Sequence, residues 1–317
     1  MPPPTPSAPP APSALAVVIP TRGDHERLRV TLACLAAQTG APPHEVVVVD
    51  DNDGGGSEAR ALASVLEEVG RLLPVRAVSG PGRGRAAARN HGAAAAEAPW
   101  LLFLDADVVV GPGFLRAYAD AALPGRFLHG GLRELPTAAR LLGRLREAPL
   151  SAVQEAGAAL TTAGAEGGGR DPMRRTMANA LERAVESMAA GELPDVAPWL
   201  GLVGASCAVE RAAWRLTGGF DEGFARVWGC EDLEFGLRLY EAGLRRRLVP
   251  DALGVHLSHA RPDRWEQHSV NMDRFAALHP RRSVRALATL LGPGGTPERY
   301  VAAVGAAGQV PSPAGTP

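Results

Sequence analysis

The chain has 317 residues and a formal net charge of -1, so no chain-wide basic field exists to hold nucleic acid or an anionic membrane surface. It contains no lysine, which excludes a phosphate-loop lysine and a Schiff-base mechanism. With 46% hydrophobic residues, it has ample material for one large domain or two modest ones.

The Pro-rich opening, residues 1–14, lacks the basic start and apolar stretch of a secretion signal and reads as a disordered tail. No apolar run reaches the roughly 18 residues of a membrane span. Cys34, Cys207 and Cys230 lie far apart without metal or redox spacing. These features together predict a protein working in the cytoplasm with reduced thiols.

Leu15–Ile19, an apolar run stopping at Pro20, predicts a strand buried on both faces. A helix follows, capped by Asp24, with Leu28, Leu32 and Leu35 along one stripe and Gly40 at its end. Val46–Val49 is a second strand that runs into Asp50-Asp51-Asn52-Asp53-Gly54. Arg60–Leu73 carries a helical stripe, Val75–Val78 is a short strand, and Leu101–Leu104 is another apolar run ending in Asp105-Ala106-Asp107. This β-α-β-α-β order predicts an α/β fold, a mostly parallel sheet with helices on both faces and ligands beyond the carboxyl ends of its strands.

The expected division is a first half, 15–125, and a second half, 126–290. Within the second, Ala152–Gly169 is rich in alanine, glycine and threonine and reads as a flexible connection. The arginines and apolar residues of 131–200 read equally as surface and core. Glu231–Ala242 is a strong helix ended by Gly243. From 291 to 317 glycine, proline and alanine predict a second disordered tail.

Asp105 and Asp107 leave a buried strand two residues apart and are expected to point the same way, where one cation could sit between them. Hard carboxylate oxygens suit Mg²⁺ or Mn²⁺ bound together with substrate phosphates. The competing reading is a turn or helix cap. In the Asp50–Asp53 cluster, turn chemistry accounts for most of the acids, while Asp51 at the strand tip could accept the imide N–H of uracil. The loop Gly80-Pro81-Gly82-Arg83-Gly84-Arg85 would let backbone approach a ligand, and Arg89 is the favoured partner for phosphate oxygens.

Trp228-Gly229-Cys230-Glu231-Asp232 opens the strong helix with two acids. These could simply cap it, since the helix dipole stabilises carboxylates at its N-terminus. The same field would keep Asp232 ionised, as a proton acceptor must be, while weakening its basicity. Beyond it, Val255-His256-Leu257-Ser258-His259 offers two imidazoles to a metal site, with His256 ahead of His259.

In this order the motifs resemble the GT-A fold glycosyltransferases of inverting family 2, with a distal part like that of the galactosyltransferases. The residues that carry the resemblance are Val17 to Arg22, Gln38-Thr39, Val49-Asp50-Asp51, Ala88 to Gly92, Phe103 to Asp107, Trp228 to Asp232, and His256. The resemblance implies a Rossmann-like sheet and a nucleotide-sugar donor, uridine-linked by preference, held by Pro20, Thr21, Arg22, Asp51, Arg89, Asp105, Trp228 and Glu231. It implies a divalent cation on Asp107 and His256, Asp232 as catalytic base with inversion at the anomeric carbon, and a small-molecule or glycoside acceptor, with 15–125 as the nucleotide-sugar-binding half, 126–290 as the acceptor-binding and catalytic half, and 131–200 supplying the acceptor pocket. Two rivals stand beside it: a sugar-phosphate nucleotidyltransferase, and a nucleotide-sugar-binding module without turnover.

Overall fold

The computed structural model describes residues 13–52, 56–165, 175–225, 227–260 and 262–305. Most of the first expected tail (1–12), Asp53 and Gly54 of the acidic cluster, the 166–169 end of the alanine-rich stretch, and 306–317 lie outside the described residues. The first half runs β1 (Leu15–Thr21), α1 (His25–Ala36), β2 (His44–Asp50), α2 (Gly56–Val69), β3 (Val75–Ser79), α3 (Arg85–Ala95), β4 (Trp100–Leu104), β5 (Val108–Val110) and α4 (Phe114–Ala121). The second runs β6 (Arg126–Glu134), α5 (Ala138–Leu145), α6 (Leu150–Ala165), α7 (Ala180–Ala189), β7 (Ser206–Glu210), α8 (Arg211–Thr217), α9 (Glu231–Glu241) and β8 (Arg245–His256). Four helices close the chain: α10 (Arg264–Leu278), α11 (Arg282–Arg285), α12 (Ala288–Leu291) and α13 (Pro297–Gly305).

All eight strands form one sheet in the order β3-β2-β1-β4-β7-β6-β8-β5. β1 pairs in parallel with both β2 and β4, and β2 with β3. β7 is antiparallel to both β4 and β6, and β6 runs parallel to β8. The carboxyl ends of β1, β2, β4, β6 and β8 therefore emerge on one edge. Strand order reverses at β1, with β2 on one side and β4 on the other, which is where an open α/β sheet leaves a crevice for ligand. The two expected halves share this sheet, because β7 and β6 extend it directly from β4.

Burial on both faces explains why these strands read as continuous apolar runs. Val17, Ile19, Val46, Val48, Leu102 and Leu104 face the core built with α1, α2, α4 and α6. Ala16, Val18, Val47, Val49, Leu101 and Phe103 face the other core, with α3 and α9. A third cluster holds α7, α10, α11, α12 and α13 against the far stripe of α9, Leu233 and Leu237. The helix α3 lies so close to the sheet that a Cβ on Gly92 would sit 2.4 Å from Val18.

Three expectations are corrected. Asp24 does cap α1, accepting from Arg27 N–H, but the helix ends at Ala36–Ala37, and Gly40 turns the loop beyond it. Ala152–Gly169 is not a flexible connection as far as it is described: α6 runs to Ala165, with Val153 and Leu160 buried against α1 and β5. Its small residues serve close approach, since a Cβ on Gly157 would meet Cys34 Sγ at 2.4 Å. The segment from 291 is ordered to Gly305. Pro297 occupies the first turn of α13, where its missing N–H costs nothing, and the buried Tyr300 donates its hydroxyl to Ser283 O at 2.9 Å.

Candidate active site

At the shared strand edge lies a cleft of about 400 Å³, within the size range of small-ligand sites. β1 delivers Pro20, Thr21 and Arg22 to its wall, β2 delivers Asp51, and the turn after β4 delivers Asp105 and Asp107. Arg85 joins them from the end of the glycine-rich loop, and Trp228 and His259 face them from the second half, together with Arg264 and Gln267, which no motif in the sequence marked. Asp51 is 4% exposed and organises the glycine-rich loop: its Oδ1 accepts Gly82 N–H at 2.7 Å and its Oδ2 accepts Gly84 N–H at 3.0 Å. Gly82 and Gly84 both have positive φ, so the loop needs glycine there to aim its N–H groups at the carboxylate.

The two acids of Asp105-Ala106-Asp107 diverge instead of sharing one ion. They lie past the end of β4, where Val108 N–H closes a turn on Asp105 O, and strand alternation no longer governs their direction. Asp105 turns to Arg89, whose Nη2 donates to its Oδ1 at 2.8 Å. Asp107 turns to the histidines: its Oδ2 lies 3.1 Å from His256 Nε2 and 3.5 Å from His259 Nε2. Antiparallel pairing of Val108 with His256, and Leu257 N–H on Asp107 O at 2.8 Å, create this meeting.

One oxygen of Asp107 and one nitrogen of each histidine lie within 4.8 Å of one another, a donor set suited to a divalent first-row cation. Both imidazoles converge on Asp107, where the sequence places His256 ahead of His259. Behind His256 stands Glu134, which no local motif marks: its Oε2 lies 2.7 Å from His256 Nδ1 and accepts Ser258 Oγ–H at 2.6 Å. Burial opposes charge on both partners, yet their attraction prevails. His256, between Asp107 and Glu134, is pushed up to about 10, and Glu134, bonded by His256, Ser258 and Asn179, is held down at about 2.

Arg89 is corrected most. The expected phosphate ligand is 2% exposed and lies beneath the cleft, bridging Asp105 and Glu231, whose Oε1 accepts Nη1 at 2.9 Å. Burial alone would lower its pKa, but Asp105, Glu231 and Asp232 more than offset that and raise it. Glu231, expected at the donor, is likewise outside the cleft wall, 6% exposed and bound to Arg89.

Asp232, half-buried and also outside the cleft wall, sits beside this bridge, one residue into α9. The preceding turn is held by Gly229 at φ 102° and Cys230 at φ 69°. A side chain at Gly229 would also strike His268, 2.4 Å from its would-be Cβ. Asp232 Oδ2 accepts Gly204 N–H at 2.9 Å. Despite that bond and the nearby Arg89, burial and then Glu231 push its carboxyl up to about 6. The helix field expected to weaken its basicity is thus outweighed by desolvation. The three cysteines are free and buried, and burial raises all three thiols far above the range where they react at neutral pH.

Residues 16–127 match the model of the family described as glycosyl transferase family 2, and residues 195–260 match the N-terminal domain of galactosyltransferase. Validoxylamine A glucosyltransferase of Streptomyces hygroscopicus subsp. limoneus is 32% identical over 289 residues, 84% of this chain and 57% of that protein. Its namesake from subsp. jinggangensis is 32% identical over 290 residues, 84% of this chain and 61% of that protein. The chain thus spans about three fifths of the length of these relatives. The mannosyltransferase PcManGT from Pyrobaculum calidifontis, solved with GDP-Man and Mn²⁺, aligns at TM-score 0.53 and 19% identity over 93% of this chain and 70% of its own. S. aureus TarS 1–349, solved with UDP-GlcNAc, aligns at TM-score 0.52 and 16% identity over 83% and 65%. These structures share the fold. No helix among the described residues is long and apolar enough to cross a membrane.

Proposed function

From the premise that this chain belongs to glycosyl transferase family 2, we propose that it moves a sugar from a nucleoside diphosphate, UDP by preference, to a hydroxyl of a soluble acceptor with inversion at the anomeric carbon. The observation that carries this is the convergence of Thr21, Asp51, Asp107 and His259 on one cleft at the strand edge. The relatives named for glucosyl transfer to validoxylamine A favour a small polyhydroxylated acceptor, and the neighbours solved with GDP-Man and UDP-GlcNAc favour a nucleotide-sugar donor.

Asp51 keeps lone pairs beyond its two loop bonds and can accept the uracil imide N–H. Arg85 and Arg264, in the cleft wall, take the diphosphate role first expected of Arg89. A divalent cation, Mn²⁺ or Mg²⁺, held by Asp107, His256 and His259 would neutralise charge on the departing diphosphate. Asp232 accepts the proton of the acceptor hydroxyl, whose oxygen attacks the anomeric carbon from the face opposite the leaving group. Arg89 fixes Asp105 on the cleft side and Glu231 on the helix side in one buried bridge.

The test offers UDP-glucose, UDP-GlcNAc and GDP-mannose with polyhydroxylated acceptors and Mn²⁺, and measures the free nucleoside diphosphate. Acceptor-dependent UDP release that stops on chelation is expected. Pyrophosphate release from UTP and a sugar phosphate, with no such UDP, would instead make the chain a nucleotidyltransferase.

A further inference from the structure

The structure assigns Glu134 as the positioning residue that locks His256 with its Nε2 turned to the cation site, an inference that rests on reading Asp107, His256 and His259 as cation ligands. An imidazole offers two nitrogens, and which one faces a ligand is set by the bond the other makes. Here Nδ1 lies 2.7 Å from Glu134 Oε2 while Nε2 lies 3.1 Å from Asp107 Oδ2. Binding a cation requires the neutral ring, and there Nδ1 donating to the carboxylate leaves the lone pair on the nitrogen beside Asp107. A carboxylate in this relation to a ligating histidine fixes both ring orientation and tautomer.

The backbone is arranged to bring this contact about. β6 and β8 pair in parallel with Gly130 opposite Val249; unbroken, that register would put Glu134 opposite Leu253. An irregularity between Gly130 and Leu132 shifts the pairing, so that Leu132 faces Gly254 and Glu134 faces His256. Such irregularities re-aim side chains beside active sites. Glu134 is pinned on its other side too: its N–H donates to Met177 O at 2.8 Å, and Met177 N–H donates to Glu134 O at 3.0 Å. Its Oε2 also accepts Ser258 Oγ–H. Ser258 lies between His256 and His259 in sequence, so one carboxylate grips the segment that carries both imidazoles.

Mn²⁺ is titrated into the full chain without nucleotide, and free ion is read by electron paramagnetic resonance, for wild type, Glu134→Ala, Glu134→Gln and Asp107→Asn. Glu134→Ala is expected to weaken Mn²⁺ binding about 10–100-fold, the usual cost of losing such a partner. Glu134→Gln keeps an acceptor for Nδ1–H and should recover part of that loss. If Glu134→Ala does not fold, a severalfold weakening in Glu134→Gln carries the same meaning. Wild-type Mn²⁺ affinity in both Glu134 variants, with affinity lost in Asp107→Asn, would overturn the assignment while leaving the cation reading intact. Wild-type affinity in Asp107→Asn as well would remove the cation reading, and this inference with it.

Discussion

Asp232→Asn is expected to lower kcat by about 10²–10⁴-fold, the usual worth of a positioned general base, while UDP binds as it does to wild type. The substitution keeps the shape of the side chain and an acceptor for Gly204 N–H, and gives up both the acceptor for Leu233 N–H at the helix start and the ability to take a proton. Because burial and Glu231 push this carboxyl up to about 6, wild-type kcat/KM is expected to fall about tenfold per unit as the pH drops below that value. The raised value also fixes the sign for stability. A carboxyl held above its unfolded value of 3.8 favours folding when protonated, and that contribution is lost as the pH rises through about 6. Asp232→Asn is therefore expected to melt no lower than wild type near neutral pH. Full activity in the variant, or a wild-type profile flat through mildly acid pH, would take the base role from Asp232.

Arg89→Ala is expected to destabilise the fold by about 3–5 kcal/mol, as removal of one partner from a buried ion pair does, with a fall in Tm on the order of 10 °C. Glu231 would be left buried without its cation, and Asp105 would lose the bond that holds it in the cleft wall. Arg89→Lys should recover only part of the loss, since an ammonium cannot reach two carboxylates with the fixed fork of a guanidinium. Differential scanning calorimetry of both variants decides it. A Tm equal to that of wild type in Arg89→Ala, accompanied by a large rise in the KM for the donor, would return Arg89 to the phosphate-binding role first expected of it.

That reversal shows where sequence reading succeeds and where it stops. Leu15–Ile19, Val46–Val49 and Leu101–Leu104 were legible as strands because burial on both faces leaves no alternation to confuse. The acids at their tips were legible because a polar residue ending such a run must leave the sheet. The direction each acid takes beyond the tip was not: Asp105 and Asp107 are two residues apart, yet one turns to Arg89 and the other to His256. An arginine after a glycine-rich loop points to a phosphate ligand, and nothing local to Arg89 reveals that Glu231, 142 positions on, waits beneath it. Glu134 was invisible for the same reason, since its meaning comes from a shift in strand register. The helix α6 is ambiguous in sequence because alanine and glycine signal both loops and tightly packed helices, and only contact with Cys34 decides between them.

The claim that Asp107, His256 and His259 hold a cation against the donor's diphosphate is tested most directly by calorimetric titration of UDP into wild type and Asp107→Asn, each with and without Mn²⁺. Mn²⁺ is expected to tighten UDP binding to wild type within the roughly 5–150-fold range of coupled ligands and to leave Asp107→Asn unaffected. Equal tightening in both proteins, or none in either, would contradict it.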